Sequence, residues 1–164
     1  MSDTERHHCT LRALAEASEG KVFVELGVKD GGSTQPLFDA AWACRGTLWS
    51  VDKNPTTFVP EGLMPNSGTW KFVQQDTIEF LKEWPRETKI DFVFIDDWHA
   101  YRHVKQELEL LDPLVGPSSL ILVHDTMHGH TEPFYNVDLT LQGGQWAEGG
   151  PYRAVAELNP QFWE

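Results

Sequence analysis

Residues 22–34, VFVELGVKDGGST, decide how this chain is read. A short apolar run ends in Glu25-Leu26-Gly27, three residues lead to Gly31-Gly32, and Ser33-Thr34 with Pro36 open a helical pattern. Strand, glycine turn and helix start, in that order, bring a polar ligand against backbone N–H groups and a helix N-terminus. The spacing narrows the choice. A dinucleotide fingerprint requires G-x-G-x-x-G. Lys29 stands where its second glycine belongs, so the pattern is E-x-G-x-x-x-G.

On either side, apolar runs alternate with helical patterns. Leu11, Leu14 and Ala15 mark a leading helix stopped by Gly20. After the Val22–Leu26 strand, Leu37, Ala40, Ala41 and Cys44 line one face of a helix ended by Gly46. Thr47–Val51 reads as a second strand, followed by a loop bearing Pro and Gly through Gly68, and Trp70–Val73 as a third. Ile78, Leu81 and Trp84 mark a short helix stopped by Pro85. Ile90–Ile95 is the fourth strand. Tyr101, Val104, Leu108 and Leu111 have the spacing of a buried stripe on a helix ending at Asp112-Pro113, and Ser119–Val123 is the fifth strand. Beyond Thr126 the pattern weakens into a glycine-containing loop, with an extended piece at Asn136–Leu141, before a last helix at Pro151–Leu158.

Five strands separated by helices imply an α/β fold with a parallel, doubly wound sheet and right-handed crossovers. At 164 residues, 40% of them hydrophobic, one domain spanning 1–164 is expected, with its core at 21–126 and a C-terminal loop and helix at 127–164. Such a chain buries about two-thirds of its surface. The formal charge of −12 opposes binding to nucleic acid or to an anionic membrane, and leaves a small substrate or a cation open. Cys9 and Cys44 do not make a disulfide framework. The N-terminal MSDTERHHCT lacks the apolar core of a signal peptide, and no segment approaches membrane-spanning length, so a cytoplasmic location is expected. His7-His8-Cys9 reads as a solvated tail.

In doubly wound sheets, ligands sit beyond the carboxyl ends of the strands. The polar residues fall there: Glu25 to Gly32, Asp52, Asp76, Asp96 to His99, and His124 to Thr126. Asp52, ending the second strand, is placed to accept both ribose hydroxyls of a nucleoside, or to form a turn before Asn54-Pro55. Gln75-Asp76 can hydrogen-bond an adenine amino group, and Asp76 can equally cap the helix starting at Thr77. Asp96 and Asp125 end strands that lie about 4.8 Å apart if they are neighbours, so both carboxylates can converge on one cation. Oxygen donors suit Mg²⁺ or Mn²⁺, and a contribution from His124 favours Mn²⁺ or another transition metal. The bland alternative is that both aspartates cap the helices that follow.

Glu25-Leu26-Gly27 through Ser33, Asp52, Gln75-Asp76, Asp96-Asp97-Trp98-His99 and Asp125-Thr126 together resemble class I S-adenosylmethionine-dependent methyltransferases. The match is to the metal-dependent O-methyltransferases of catechol, macrolide-sugar and cephalosporin-hydroxylase-like type, over about Lys21 to Thr126. The resemblance implies a Rossmann-like sheet of order 3-2-1-4-5, with the usual C-terminal antiparallel strand pair shortened or missing. It also implies that Glu25, Gly27 and Gly31 shape the cofactor turn, that Ser33 meets the methionine carboxylate, and that Asp52 holds the ribose. Gln75, Asp76 and Trp98 would border the adenine. Asp96 and Asp125 would hold the metal, completed by His124 or Thr126, with His99 as the base where catechol-type enzymes use lysine. An imidazole titrates near neutrality and suits that role. Tyr101 and His103 are weaker candidates, Tyr101 fitting the core stripe better.

The expected activity is therefore metal-dependent methyl transfer from S-adenosylmethionine to a small-molecule hydroxyl. A module that binds the cofactor without catalysis, as a partner subunit, is the competing class. A metallohydrolase or oxygenase built on His124, His128 and His130 is a third, though H-x-x-x-H-x-H on a loop lacks the rigid spacing of such sites. Seven tryptophans and an unfinished sheet edge leave room for a homo-oligomer.

Overall fold

The computed structural model describes residues 4–65, 67–126 and 149–158. Its centre is a five-stranded parallel sheet of order β3-β2-β1-β4-β5, as expected. The strands are β1 (Val22–Leu26), β2 (Thr47–Asp52), β3 (Trp70–Gln74), β4 (Ile90–Ile95) and β5 (Val115–Val123). The main helices are α1 (His8–Ala17), α2 (Thr34–Ala43), α3 (Thr77–Glu83), α4 (Tyr101–Leu111) and α5 (Gly150–Ala156). Among the described residues no helix is long and apolar enough to cross a membrane.

Alternation along the central strands feeds two cores. Phe23, Leu48, Phe92 and Phe94 pack with Leu11, Ala15, Leu37, Phe38 and Ala41 of α1 and α2. Val24, Leu26, Val93 and Ile95 pack on the other face with Phe80, Leu81, Val104, Leu108 and Leu111 of α3 and α4. Burial on both faces explains why β1 and β4 read as continuous apolar runs. Ala154 of α5 joins the second core, and the Tyr101 hydroxyl donates to Glu157 at 2.5 Å.

The fifth strand begins earlier than Ser119. Its pairing with β4 slips between Ile90↔Val115 and Phe92↔Leu120, so Gly116 to Ser119 form an irregularity. There the Gly116 N–H donates to Ser119 Oγ, and that hydroxyl donates to the Ile90 carbonyl. Pro117 lacks a ladder donor, and a strand tolerates it at such a bulge, so Gly-Pro reads locally as a breaker. The C-terminal strand pair, the Asn136–Leu141 segment, His128 and His130 lie outside the described residues.

Candidate functional site

The glycine turn is built from backbone constraints. Gly27 has φ +95°, and a Cβ on it would lie 2.4 Å from the Asp96 carbonyl oxygen. Gly31 has φ +80°, where a Cβ would meet the Phe58 ring at 2.2 Å. Both positions combine the left-handed region with a close approach, which only glycine tolerates. Beneath the turn, fully buried Glu25 accepts hydrogen bonds from Ser33 Oγ (2.5 Å), Ser50 Oγ (2.6 Å) and Thr34 Oγ1 (2.9 Å). Burial pushes its carboxyl up to about 7 although three hydroxyls favour the charged form. Glu25 is thus the hub that holds the turn on the sheet. Ser33, itself 4% exposed, donates its hydroxyl to that hub.

Asp52 braces the turn from β2. Its Oδ2 accepts from the N–H groups of Val28 and Lys29 at 3.0 Å each, and Oδ1 accepts from Asn54 N–H at 2.8 Å. Partial burial would raise its pKa, but these backbone donors outweigh it and hold the carboxyl below its usual range. Two N–H groups of the turn therefore serve Asp52 before any ligand. Asp76 caps α3, its Oδ1 accepting from Ile78 and Glu79 N–H.

These elements border a cavity of about 510 Å³ at the carboxyl ends of β1, β2 and β4. Gly27, Val28, Lys29, Asp52 and Asp76 form one part of its wall, and Thr77, Asp96, Asp97, Trp98 and His103 another. Lys53 Nζ lies 5.1 Å from the centre of the Trp98 ring across it. Gln75 is not brought there. Side chains alternate along an extended segment, so Lys71, Val73 and Gln75 border a separate hollow with Trp49 and Trp84, and the Gln75 amide donates to Glu83.

At the cavity's β4–β5 side, Asp96, His99, His124 and Asp125 bring one donor atom each within 4.8 Å of one another. Backbone pairing sets this up, since Asp96 N–H donates to Leu26 O and His124 N–H to Ile95 O. His124 Nδ1 is 3.2 Å from Asp96 Oδ1 and 3.3 Å from Asp125 Oδ1, while His99 Nε2 is 3.2 Å from Asp96 Oδ1 and 3.7 Å from Asp125 Oδ2. The flanking Asp125 and Asp96 carboxylates push the His124 imidazole up to about 10, overcoming burial. Burial opposes ionisation of both aspartates, yet His124 and His99 keep their pKa values low. The cluster is a place that recruits positive charge. Asp125 has φ +56°, an uncommon backbone state for a non-glycine residue, and half-buried Thr126 follows it.

His103, only a weaker candidate in the sequence, joins a further group with Asp97 and the unanticipated Glu107. Asp97 Oδ2 accepts from Thr77 Oγ1 (2.9 Å) and lies 2.8 Å from His103 Nε2, which is 3.4 Å from Oε1 of fully buried Glu107. The signal was present: Glu107 follows His103 by four residues and falls on the apolar stripe of α4, where a charged residue is out of place.

A family model described as "Methyltransferase domain" matches residues 24–126. Among solved structures, the chain is similar to the O-methyltransferase from Bacillus cereus in complex with SAH. Identity there is 15%, the TM-score is 0.59, and the match covers 87% of this chain and 66% of that one. It is similar to the O-methyltransferase TomG from Streptomyces achromogenes in complex with SAM at 19% identity and TM-score 0.59, covering 84% and 64%. The MycE methyltransferase of mycinamycin biosynthesis, in complex with Mg and SAH, matches at 19% and TM-score 0.55, covering 90% and 37%. At these identities the likeness is one of fold, and this chain spans less than two thirds of each of those proteins' length. No curated protein matches the chain.

Proposed function

The chain belongs to the methyltransferase-domain family matched over residues 24–126, and on that premise we propose that it transfers the methyl group of S-adenosylmethionine to a small-molecule hydroxyl, assisted by a divalent cation. The observation that carries this reading is that Asp96 belongs to two places at once. It lines the cavity beside the glycine turn and is a member of the cluster at β4 and β5. A nucleoside-sized ligand and a cation would therefore lie side by side.

In this reading Gly27 and Gly31 let the backbone approach the cofactor, and Glu25 with Ser33 supports that turn from below. Asp52 Oδ1 keeps acceptor capacity for a ribose hydroxyl after its N–H bonds are made. Asp76, whose Oδ1 caps α3, offers its second oxygen to the adenine amine, and the Trp98 indole packs beside the base. Asp96, Asp125 and His124 would hold the cation, with Thr126 as a further oxygen donor, and the His124 imidazole favours Mn²⁺ alongside Mg²⁺. When bound, a divalent cation supplies the charge that lowers the pKa of an acceptor hydroxyl. His99, 3.2 Å from Asp96, takes the hydroxyl proton as general base. The cavity walls align oxygen, methyl carbon and sulfur, an effect worth up to about 7–11 kcal/mol in ideal intramolecular cases.

Calorimetric titration with S-adenosylhomocysteine, with and without Mg²⁺ or Mn²⁺, followed by a methyl-transfer assay on a panel of hydroxylated acceptors, tests the reading. Cofactor binding together with cation-dependent turnover is expected. Cofactor binding with neither cation binding nor turnover would identify a non-catalytic module, and cation binding with no cofactor affinity would point to hydrolytic or oxygenase chemistry.

A further inference from the structure

We propose that Asp97, His103 and Glu107 form a second cation site, separate from the Asp96 cluster, that takes a divalent transition ion such as Zn²⁺ through one imidazole and two carboxylates. One donor atom from each residue lies within 4.8 Å of the other two. His103 Nε2 is 2.8 Å from Asp97 Oδ2 and 3.4 Å from Glu107 Oε1. Donors about 2.1 Å from a tetrahedral ion are about 3.4 Å apart, so small side-chain adjustments complete the arrangement.

The independent sign is Glu107. Its side chain is 0% exposed, and neither carboxylate oxygen has a hydrogen-bond partner. Asp97 Oδ1 is likewise buried and without a partner. A buried carboxylate lacking partners is costly, and such groups point to a missing occupant, often an ion or water. His103 and Glu107 are one turn apart on α4, a helical spacing that presents two ligands on one side. Thr77 orients the third, donating its hydroxyl to Asp97.

A proton is the competing occupant. Against burial, Asp97 and Glu107 push the His103 imidazole up to about 10, while burial and the Asp97 charge push Glu107 up to about 8. A protonated Glu107 donates to Asp97, and Zn²⁺ titration separates that state from an ion-bound one.

The site extends beyond the proposed methyl transfer and does not depend on it. The 164-residue chain carrying His7→Ala and His8→Ala, which remove the N-terminal imidazoles, is titrated calorimetrically with Zn²⁺ alone. His103→Gln and, as a second variant in case the first misfolds, Glu107→Gln should each bind one equivalent fewer than this parent. Asp125→Asn should lose a different equivalent, so that combining it with His103→Gln loses two. Absence of Zn²⁺ binding by the parent, or unchanged stoichiometry in both His103→Gln and Glu107→Gln, would overturn the site. Loss in those two variants but none in Asp125→Asn would keep it and count against the cation assigned to Asp96 and Asp125.

Discussion

Asp96 and Asp97 are adjacent in sequence and serve different halves of the molecule. Asp96 meets His124 and His99 at the β4–β5 side, whereas Asp97 meets Thr77 of α3 and His103 of α4. The alternation of β4, Phe92 and Phe94 to one core and Val93 and Ile95 to the other, runs on past the strand end and divides the two carboxylates. Glu25, on β1, supplies the contrast: another carboxylic side chain, which three hydroxyls and complete burial turn into scaffold. Residue type therefore says little about role here, and the surroundings of each carboxylate say most.

The largest expected effect is on the Asp96 side. Asp125→Ala should lower cation-dependent turnover by about 100-fold or more while leaving S-adenosylhomocysteine affinity nearly unchanged, as read from kcat/KM and calorimetry. Undiminished turnover would remove this side from the chemistry and erase the division of labour between the two aspartates.

Gly27→Ala strikes both halves at once, because its Cβ would lie 2.4 Å from the Asp96 carbonyl oxygen and 2.8 Å from Asp97 Cα. A loss of about 2–4 kcal/mol is expected from strain at a positive φ plus the clash. Urea denaturation midpoints check it, and a variant as stable as the parent would contradict the tight turn.

Glu25→Gln sharpens the contrast between scaffold and site through pH. The folded carboxyl is raised to about 7 from an ordinary 4.5. Its contribution to stability is therefore fully present below about pH 4.5 and is lost as pH rises through about 7. The glutamine variant should lack this decline, on the order of 3 kcal/mol between pH 4 and pH 8. Parallel pH profiles for the two proteins would rule out Glu25 as its source.

Asp52 shows the opposite sign on a smaller scale. Its pKa is lowered by backbone donors, so its stabilisation is present above the ordinary carboxyl range and is lost as pH falls through the depressed value. Asp52→Asn should cost about 1 kcal/mol, the worth of a typical hydrogen bond, and weaken cofactor binding as well. Unaltered stability and affinity would leave Asp52 a bystander of the turn.

The strands and their alternation with helices, the glycine turn and the strand-end position of the acidic residues were legible in the chain from local periodicity and a rule about parallel sheets, whereas the strand order came only with the family resemblance. The strand start at Val115 was not, since Gly116-Pro117 looks like a break until Ser119 and Ile90 hold it in register. Which way a polar side chain turns was also hidden. Ser33 and Thr34 face Glu25, Gln75 faces Glu83, and Glu107 faces His103 from inside the apolar stripe of α4. The sequence alone therefore determined the parallel α/β class and the rim to which polar groups are delivered, through spacing that acts within single elements. Only the tertiary structure decided which carboxylate is buried, capped or shared, because hydrogen-bond partners and desolvation come from residues tens of positions away.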